Sequence, residues 1–360
     1  MIKVGFIGLG TMGGPMACNI VSKGNDLRVF DIAPAAVAKL VARGAIAAAT
    51  PRDVAASSDV VVTMLPDAPE VETVAAGPDG ILAGLRPGSV WIEMSTIDPG
   101  TSRRLGARVR AQGSDMVDSP VGKTAEHAVS GTLTLMVGGE KATITRVRPV
   151  LDCMGTDFFH CGDLGAGHAM KCLNNLLATT LVAVNAEILV AGAKAGLTLD
   201  VMTAVMQKTM AWNNQLAIAY PARPLRGDFD AGFMLKLAHK DCRLGLTMIH
   251  DMGLTAPVGA ATLTACQEGL DAGYGHNDVG VLLKLREDPA GVQVRQQALP
   301  QSSASLIVGS FLYPSTMQGP INTRIQPPRL RPHGTAQPNA LASLVHYLPA
   351  GTQARNPTIM

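Results

Sequence analysis

Residues Gly8-Leu9-Gly10-Thr11-Met12-Gly13 follow directly on the apolar run Ile2-Lys3-Val4-Gly5-Phe6-Ile7, and Asp31 closes the next apolar run, Leu27-Arg28-Val29-Phe30. Few arrangements of a chain suit glycines so placed. Gly8 permits a tight turn out of a strand, Gly10 lets backbone approach a pyrophosphate without a Cβ between, and Gly13 lets the next helix pack close to the strand. A helix from about Met12 to Ser22 then points free N–H groups and its positive dipole end at the phosphates. With a strand before, a helix after and an acid about twenty residues on, the pattern predicts a βαβ unit that binds a dinucleotide. Asp31 at that strand end can accept both ribose hydroxyls of NAD(H) but would repel the 2′-phosphate of NADP(H), so NAD(H) is favoured. The competing reading makes Asp31 only a turn residue ahead of Pro34.

Up to residue 162, apolar runs alternate with helical segments. Strands are expected at 46–49, 60–65, 89–94, 115–118, 133–137 and 158–160, and helices at 51–57, 71–75 and 99–111. Such alternation implies a mainly parallel sheet with crossover helices, and ligands sit at the carboxyl ends of its strands. Leu65, Pro66, Ser95 and Thr96 fall at such ends, and Leu65, Pro66 and Thr96 are candidate cofactor contacts. From Gly165 the period changes. Residues 166–195 read as one helix about 45 Å long, and helical periodicity continues to about 285, with Asp200, Asp230 and Asp278 as expected N-caps. The predicted fold is α/β: an N-terminal Rossmann-type doubly wound sheet (1–163), then an all-α domain joined by a long helix (164–290).

Composition narrows the function classes. Between Pro289 and Met360 there are ten of the 23 prolines and five of the 30 basic residues, but none of the 28 acidic ones, so 291–360 is expected to be a Pro-rich irregular tail with little packed structure. The preceding body is mildly acidic and shows no basic stripe with interleaved aromatics, which gives nucleic-acid binding no support. No apolar run looks long and clean enough to span a bilayer, and the first strand occupies the place of a signal peptide, so a soluble, cytoplasmic protein is expected. The six cysteines (18, 153, 161, 172, 242 and 266) and eight histidines lack metal-ligand spacing, and no metal is expected. Most of the cysteines read as small buried hydrophobes, with Cys172 near a site.

Three further blocks carry chemistry. Asp118-Ser119-Pro120-Val121-Gly122-Lys123-Thr124, with Ser130-Gly131-Thr132-Leu133 after it, is a loop rich in backbone donors. Lys171, Asn174 and Asn175 share one face of the long helix. Phe233, Leu237, Lys240 and Asp241 repeat that spacing further on. Together with the glycine fingerprint, in this order over about 1–290, these blocks resemble the β-hydroxyacid dehydrogenase family. The resemblance implies an NAD(P)-dependent oxidoreductase acting on CH–OH donors, and Lys171 stands where the family has its catalytic lysine. Its ammonium would protonate a carbonyl oxygen during reduction and take the proton back in reverse, a task eased if crowding lowers its pKa. Asn174, and less directly Asn175, would orient substrate. Lys240 would close over the cofactor with Asp241 as its partner. A homodimer or homotetramer is implied too, with the long helix offering a surface.

One place departs from the common pattern. Where most members carry Ser-Gly-Gly after Pro-Val, this chain has Gly122-Lys123-Thr124, which is most similar to the sulfolactaldehyde reductase branch. The reading places Ser119, Gly122, Lys123 and Thr124 around a small anionic substrate, with Lys123 as a point charge for a sulfonate or carboxylate. Lys123 also reads as a solvent-facing loop lysine. Gly-Lys-Thr is not the end of a P-loop, because Val117 stands where its leading glycine belongs. The best substrate pair is 3-sulfolactaldehyde and 2,3-dihydroxypropane-1-sulfonate; the alternatives are 3-hydroxyisobutyrate and succinic or tartronate semialdehyde. A reading of another class is a non-catalytic dinucleotide-sensing scaffold, which the presence of Lys171 disfavours.

Overall fold

A computed structural model describes residues 2–296. Nine strands form one sheet: β1 (Lys3–Ile7), β2 (Asp26–Phe30), β3 (Ile46–Ala47), β4 (Val60–Thr63), β5 (Val90–Glu93), β6 (Asp115–Asp118), β7 (Val121–Gly122), β8 (Leu133–Gly138) and β9 (Gly155–Gly162). Their order is β3-β2-β1-β4-β5-β6-β8-β7, with β9 on β8. The first six are parallel, whereas β8 runs antiparallel to β6 and β7. The strand order reverses between β1 and β4, and ligands of such sheets bind at that crevice. Helices α1 (Gly13–Ser22), α2 (Pro34–Val41), α3 (Pro51–Ala56), α4 (Ala68–Ala76), α5 (Ile81–Gly84), α6 (Pro99–Arg110), α7 (Ala125–Ser130) and α8 (Lys141–Leu151) join the strands.

Both faces of the sheet are covered, which is why β4 and β5 are buried at every position and read as unbroken apolar runs. Alternate residues point to opposite faces. Val4, Phe6, Val62 and Ile92 enter one core layer, while Ile7, Val61 and Trp91 enter the other.

The second half is helical: α9 (Ala166–Lys194), α10 (Leu199–Gln207), α11 (Tyr220–Ala222), α12 (Leu235–Asp251), α13 (Pro257–Asp271) and α14 (Val281–Ala290). Its axis is α9, which buries Val182, Ala186, Leu189 and Val190 against Leu216, Tyr220, Leu235, Cys266 and Leu283. By length and composition α9 does reach what a membrane crossing needs, contrary to the reading of the sequence. Its buried side serves as the core of the helical half, and core helices can share the length and hydropathy of a membrane span.

Several local expectations are corrected. Thr198, not Asp200, caps α10, its hydroxyl accepting from Val201 N at 3.3 Å. Asp230 lies ahead of α12, whose cap position is Met234. Asp278 sits two residues before the cap of α14 and instead accepts from Gly232 N (3.2 Å), Phe233 N (2.9 Å) and Gly280 N (2.9 Å), tying two segments together. Residues 208–234 are largely irregular, with a π-type turn at Gln215–Ala219 and a 3-10 turn at Pro224–Arg226. Pro221, Pro224 and a left-handed Gly227 (φ 75) prevent a continuous helix there. Residues 291–296, assigned to the tail, pack on the helical half: Val294 is buried, Arg295 pairs with Glu287, and Gln296 N donates to Leu225 O at 2.8 Å. The rest of the tail expectation lies outside the described residues.

Candidate active site

The glycine turn after β1 shows why its residues are small. Gly8 has φ 94, and a Cβ on it would lie 2.3 Å from Met64 O, at the end of β4. A Cβ on Gly13 would lie 1.9 Å from Gly8 O, so α1 can approach the turn only with glycine there. Around Gly10, by contrast, a Cβ would meet nothing within 4 Å. That open side faces the crevice, next to Thr11 and Met12 at the start of α1, where unpaired N–H groups favour phosphate. Asp31 Oδ2 accepts from Leu9 N (2.6 Å) and Oδ1 from Ala33 N (2.7 Å), which fixes the carboxylate beside the turn. Each oxygen keeps a lone pair for a ribose hydroxyl. These residues fit a dinucleotide.

Across the crevice, α12 of the helical half reaches the ends of β4 and β5. The Lys240 ammonium donates to Pro66 O (2.9 Å) and Thr96 O (2.7 Å) and lies 3.2 Å from Asp241 Oδ1. Arg243 adds an ion pair with Asp67 at 3.2 Å. Leu65 N donates to Ser95 Oγ at 2.8 Å. Leu65, Pro66, Thr96 and Lys240 thus meet at one mouth.

Lys171, one and a half turns into α9, is half-buried and donates to Val121 O at 2.7 Å. Burial holds its ammonium below the ordinary lysine value; the Asp241 carboxylate opposes that shift and the Lys240 charge adds to it. Asn175 is buried and donates to Asp241 Oδ2 at 2.6 Å, while exposed Asn174 donates to Asn175 Oδ1 at 3.1 Å. An acceptor-only carboxylate therefore sets the direction of this chain and leaves the Asn174 carbonyl free. Asp241 Oδ1 has no hydrogen bond besides its contact with Lys240. Cys172 is buried beside this group, its thiol pushed up to about 12 by burial.

The anion loop divides. Ser119 and Gly122 flank the Val121 carbonyl that holds Lys171, and the buried Ser119 hydroxyl has no partner among the described residues. Lys123 and Thr124 turn elsewhere. Lys123, the only non-glycine with positive φ (75) among the described residues, donates to Thr132 O (2.8 Å) and pairs with Asp157 at 2.7 Å. Asp157 is correspondingly held below the usual carboxylate value by that lysine. The Thr124 hydroxyl lies 2.9 Å from His127 Nδ1. Lys123 is therefore already paired in this arrangement, where the reading of the sequence has it as a point charge for the substrate.

A buried polar group beneath the site escaped the reading of the sequence. Asp118 accepts from Gly165 N (2.6 Å) and His168 N (2.7 Å). The His168 ring lies between Ser95 O (2.9 Å from Nε2) and Ser102 Oγ (2.6 Å from Nδ1), and burial holds it below its ordinary pKa. Beside it, burial pushes Glu93 up to about 7; its carboxyl bonds the Thr63 hydroxyl and accepts from Ser95 N at 2.7 Å. The available signal was the position of His168, one turn before Lys171 on the same helix face. No group of three His, Cys, Asp or Glu among the described residues is placed to hold a metal ion.

Comparison with known proteins agrees with this fold. Residues 3–162 match the family model for the NAD binding domain of 6-phosphogluconate dehydrogenase, and residues 165–285 that for the NAD-binding domain of NADP-dependent 3-hydroxyisobutyrate dehydrogenase. The chain is 38% identical over 293 residues to 2-(hydroxymethyl)glutarate dehydrogenase of Eubacterium barkeri, covering 81% of this chain and 97% of the relative. It is 36% identical over 295 residues to 3-sulfolactaldehyde reductase of Escherichia coli K12, covering 82% and 99%. Among solved structures, Mycobacterium tuberculosis 3-hydroxyisobutyrate dehydrogenase with L-serine superposes with a TM-score of 0.73 at 32% identity, over 79% of this chain and 99% of that one.

Proposed function

The chain belongs to the β-hydroxyacid dehydrogenase family of NAD(P)-dependent oxidoreductases acting on CH–OH donors, and from that premise we propose that it is a cytoplasmic NAD(H)-dependent reductase of a short anionic aldehyde. The observation that carries this reading is the Lys171 ammonium, drawn below the ordinary lysine pKa by burial and held by Val121 O beside Asn174. When bound, the nicotinamide supplies the hydride. Lys171 donates a proton to the carbonyl oxygen as negative charge develops there, and neutral Lys171 accepts it in the oxidative direction. Asn174 accepts a hydrogen bond from a substrate hydroxyl. Ser119, with Gly122 beside it, takes the acidic group. Gly8, Gly10, Thr11, Met12, Gly13, Leu65, Pro66, Thr96 and Lys240 hold the dinucleotide.

The preference for NAD(H) rests on Asp31, whose carboxylate would face a 2′-phosphate with like charge, followed by Ile32 and Ala33 and not by an arginine. As substrate pair we favour 3-sulfolactaldehyde and 2,3-dihydroxypropane-1-sulfonate, supported by the Pro-Val-Gly-x-Thr loop and the similarity to 3-sulfolactaldehyde reductase. A carboxylate substrate, 3-hydroxyisobutyrate or succinic or tartronate semialdehyde, is favoured by one observation: Asp157 neutralises Lys123, the extra cation of this loop. NADH oxidation with 3-sulfolactaldehyde, succinic semialdehyde and tartronate semialdehyde, and NAD reduction with 3-hydroxyisobutyrate, run in parallel, separate the two readings. Turnover with none of them removes both. Exposed Met170, Leu173, Leu177, Val184 and Ile188 form a stripe along α9, and it supports a homodimer or homotetramer, which light scattering checks.

A further inference from the structure

We propose that Asp118, with the buried His168 ring beside it, is a positioning residue for Lys171: it locks the first turn of α9 to the end of β6, so that the lysine meets the Val121 carbonyl in one register. The inference rests on Lys171 being the acid. Gly165, at the cap position of α9, has φ 92 and no side chain to offer, and the helix has no acid in its own first turn. The cap comes from 47 residues away. Asp118 is fully buried, and its two oxygens take one backbone N–H each, from Gly165 and His168, at 2.6 and 2.7 Å. Short charge-assisted bonds at a helix N-terminus combine directional contact with attraction to the dipole.

Two glycines make the room this carboxylate occupies. A Cβ on Gly138 would lie 2.3 Å from Oδ1, and one on Gly167 would lie 2.8 Å from Oδ2. His168 adds two tethers. Ser95 O can only accept, so Nε2 carries the proton, and Nδ1 accepts from the Ser102 hydroxyl. The first turn of α9 is thereby tied to the ends of β5 and β6 and to α6. Three residues beyond Asp118, Val121 O receives the Lys171 ammonium. One short segment, Asp118 to Val121, thus grips α9 at two points, a backbone turn and the reacting side chain. Catalytic groups lose rate steeply when misplaced by an ångström, which gives such a grip its value.

Asp118→Asn keeps the shape but turns an NH2 group toward a backbone N–H. In the full chain, the expected result with 3-sulfolactaldehyde, and with succinic semialdehyde as second substrate, is a kcat lower by about tenfold or more and an NADH Kd changed by less than about threefold. Lys171, freed from its buried seat, regains solvent, so the alkaline limb of the reductive pH profile moves to higher pH. A larger isotope effect from NADH deuterated at the transferred position accompanies it. A kcat loss matched by a loss of NADH-binding stoichiometry, with the limb and isotope effect unmoved, overturns the proposal. If Asp118→Asn does not fold, Ser102→Ala decides through the His168 tether: the same shifts at smaller size support it, and no shift overturns it. Full turnover in Lys171→Ala would instead remove the reading on which the proposal rests.

Discussion

Lys123 offers a test in which backbone and charge separate. Its φ of 75 places a side-chain-bearing residue in the left-handed region, which costs a non-glycine residue about 1–2 kcal/mol. Replacing it by alanine or by glycine removes the same ion pair with Asp157 and the same bond to Thr132 O, so those losses cancel when the two variants are compared. What remains is the left-handed cost, borne by alanine alone, against the extra freedom of glycine in the unfolded chain, about 0.4–1 kcal/mol. The balance leaves Lys123→Gly more stable than Lys123→Ala by roughly 0.5–1 kcal/mol, a difference in Tm of about 2 °C for a chain of this size. Thermal unfolding followed by circular dichroism measures it. An alanine variant as stable as the glycine variant, or more so, refutes the backbone assignment. The same proteins report on the charge. A lysine touching the substrate anion would raise KM about tenfold or more on removal, whereas one already paired changes it by about threefold or less. The structure predicts the second result.

Gly13→Ala places a methyl group 1.9 Å from Gly8 O, so α1 must move off the turn; a stability loss of about 1–3 kcal/mol and loss of NADH binding by fluorescence titration are expected. Asp31→Asn removes the like charge that faces a 2′-phosphate and should raise the ratio of NADPH to NADH in kcat/KM by about tenfold; an unchanged ratio contradicts the role given to Asp31. Glu93 has a folded pKa of about 7 against an ordinary value of 4.5, so the native state binds the extra proton. The contribution of Glu93 to stability is then greatest below about pH 4.5 and falls as pH rises to about 7, by up to about 3 kcal/mol. Urea titrations of wild type and Glu93→Gln across that window should show a stability difference that falls with rising pH; a difference independent of pH contradicts it.

The sheet and its ligand edge were legible because parallel strands buried on both faces leave long apolar runs, as at Val60–Thr63 and Val90–Glu93. The glycine turn was legible because Gly8 and Gly13 answer backbone contacts that no other residue fits. What escaped depends on partners distant in sequence. Asp118 reads as the start of a loop until the fold brings Gly165 and His168 onto it, and Lys123 reads as a free cation until β9 sets Asp157 beside it. Asp278 likewise looks like a local cap, while its carboxylate spans to Gly232 and Phe233. The long helix at 166–195 was legible, but its hydropathy was underread: α9 reaches the length and composition of a membrane span while its buried side serves the helical core.

The proposed reaction turns on proton transfer by Lys171. Its most direct test is kcat for NADH-dependent aldehyde reduction, measured across pH for wild type and Lys171→Ala. The wild-type rate is expected to fall with rising pH along a limb below the ordinary lysine range, because the protonated amine is required and burial lowers its pKa. The variant rate is expected to be lower by about 10²–10⁴ and to lack that limb. Wild-type turnover in the alanine variant, or the same limb in both proteins, would contradict it.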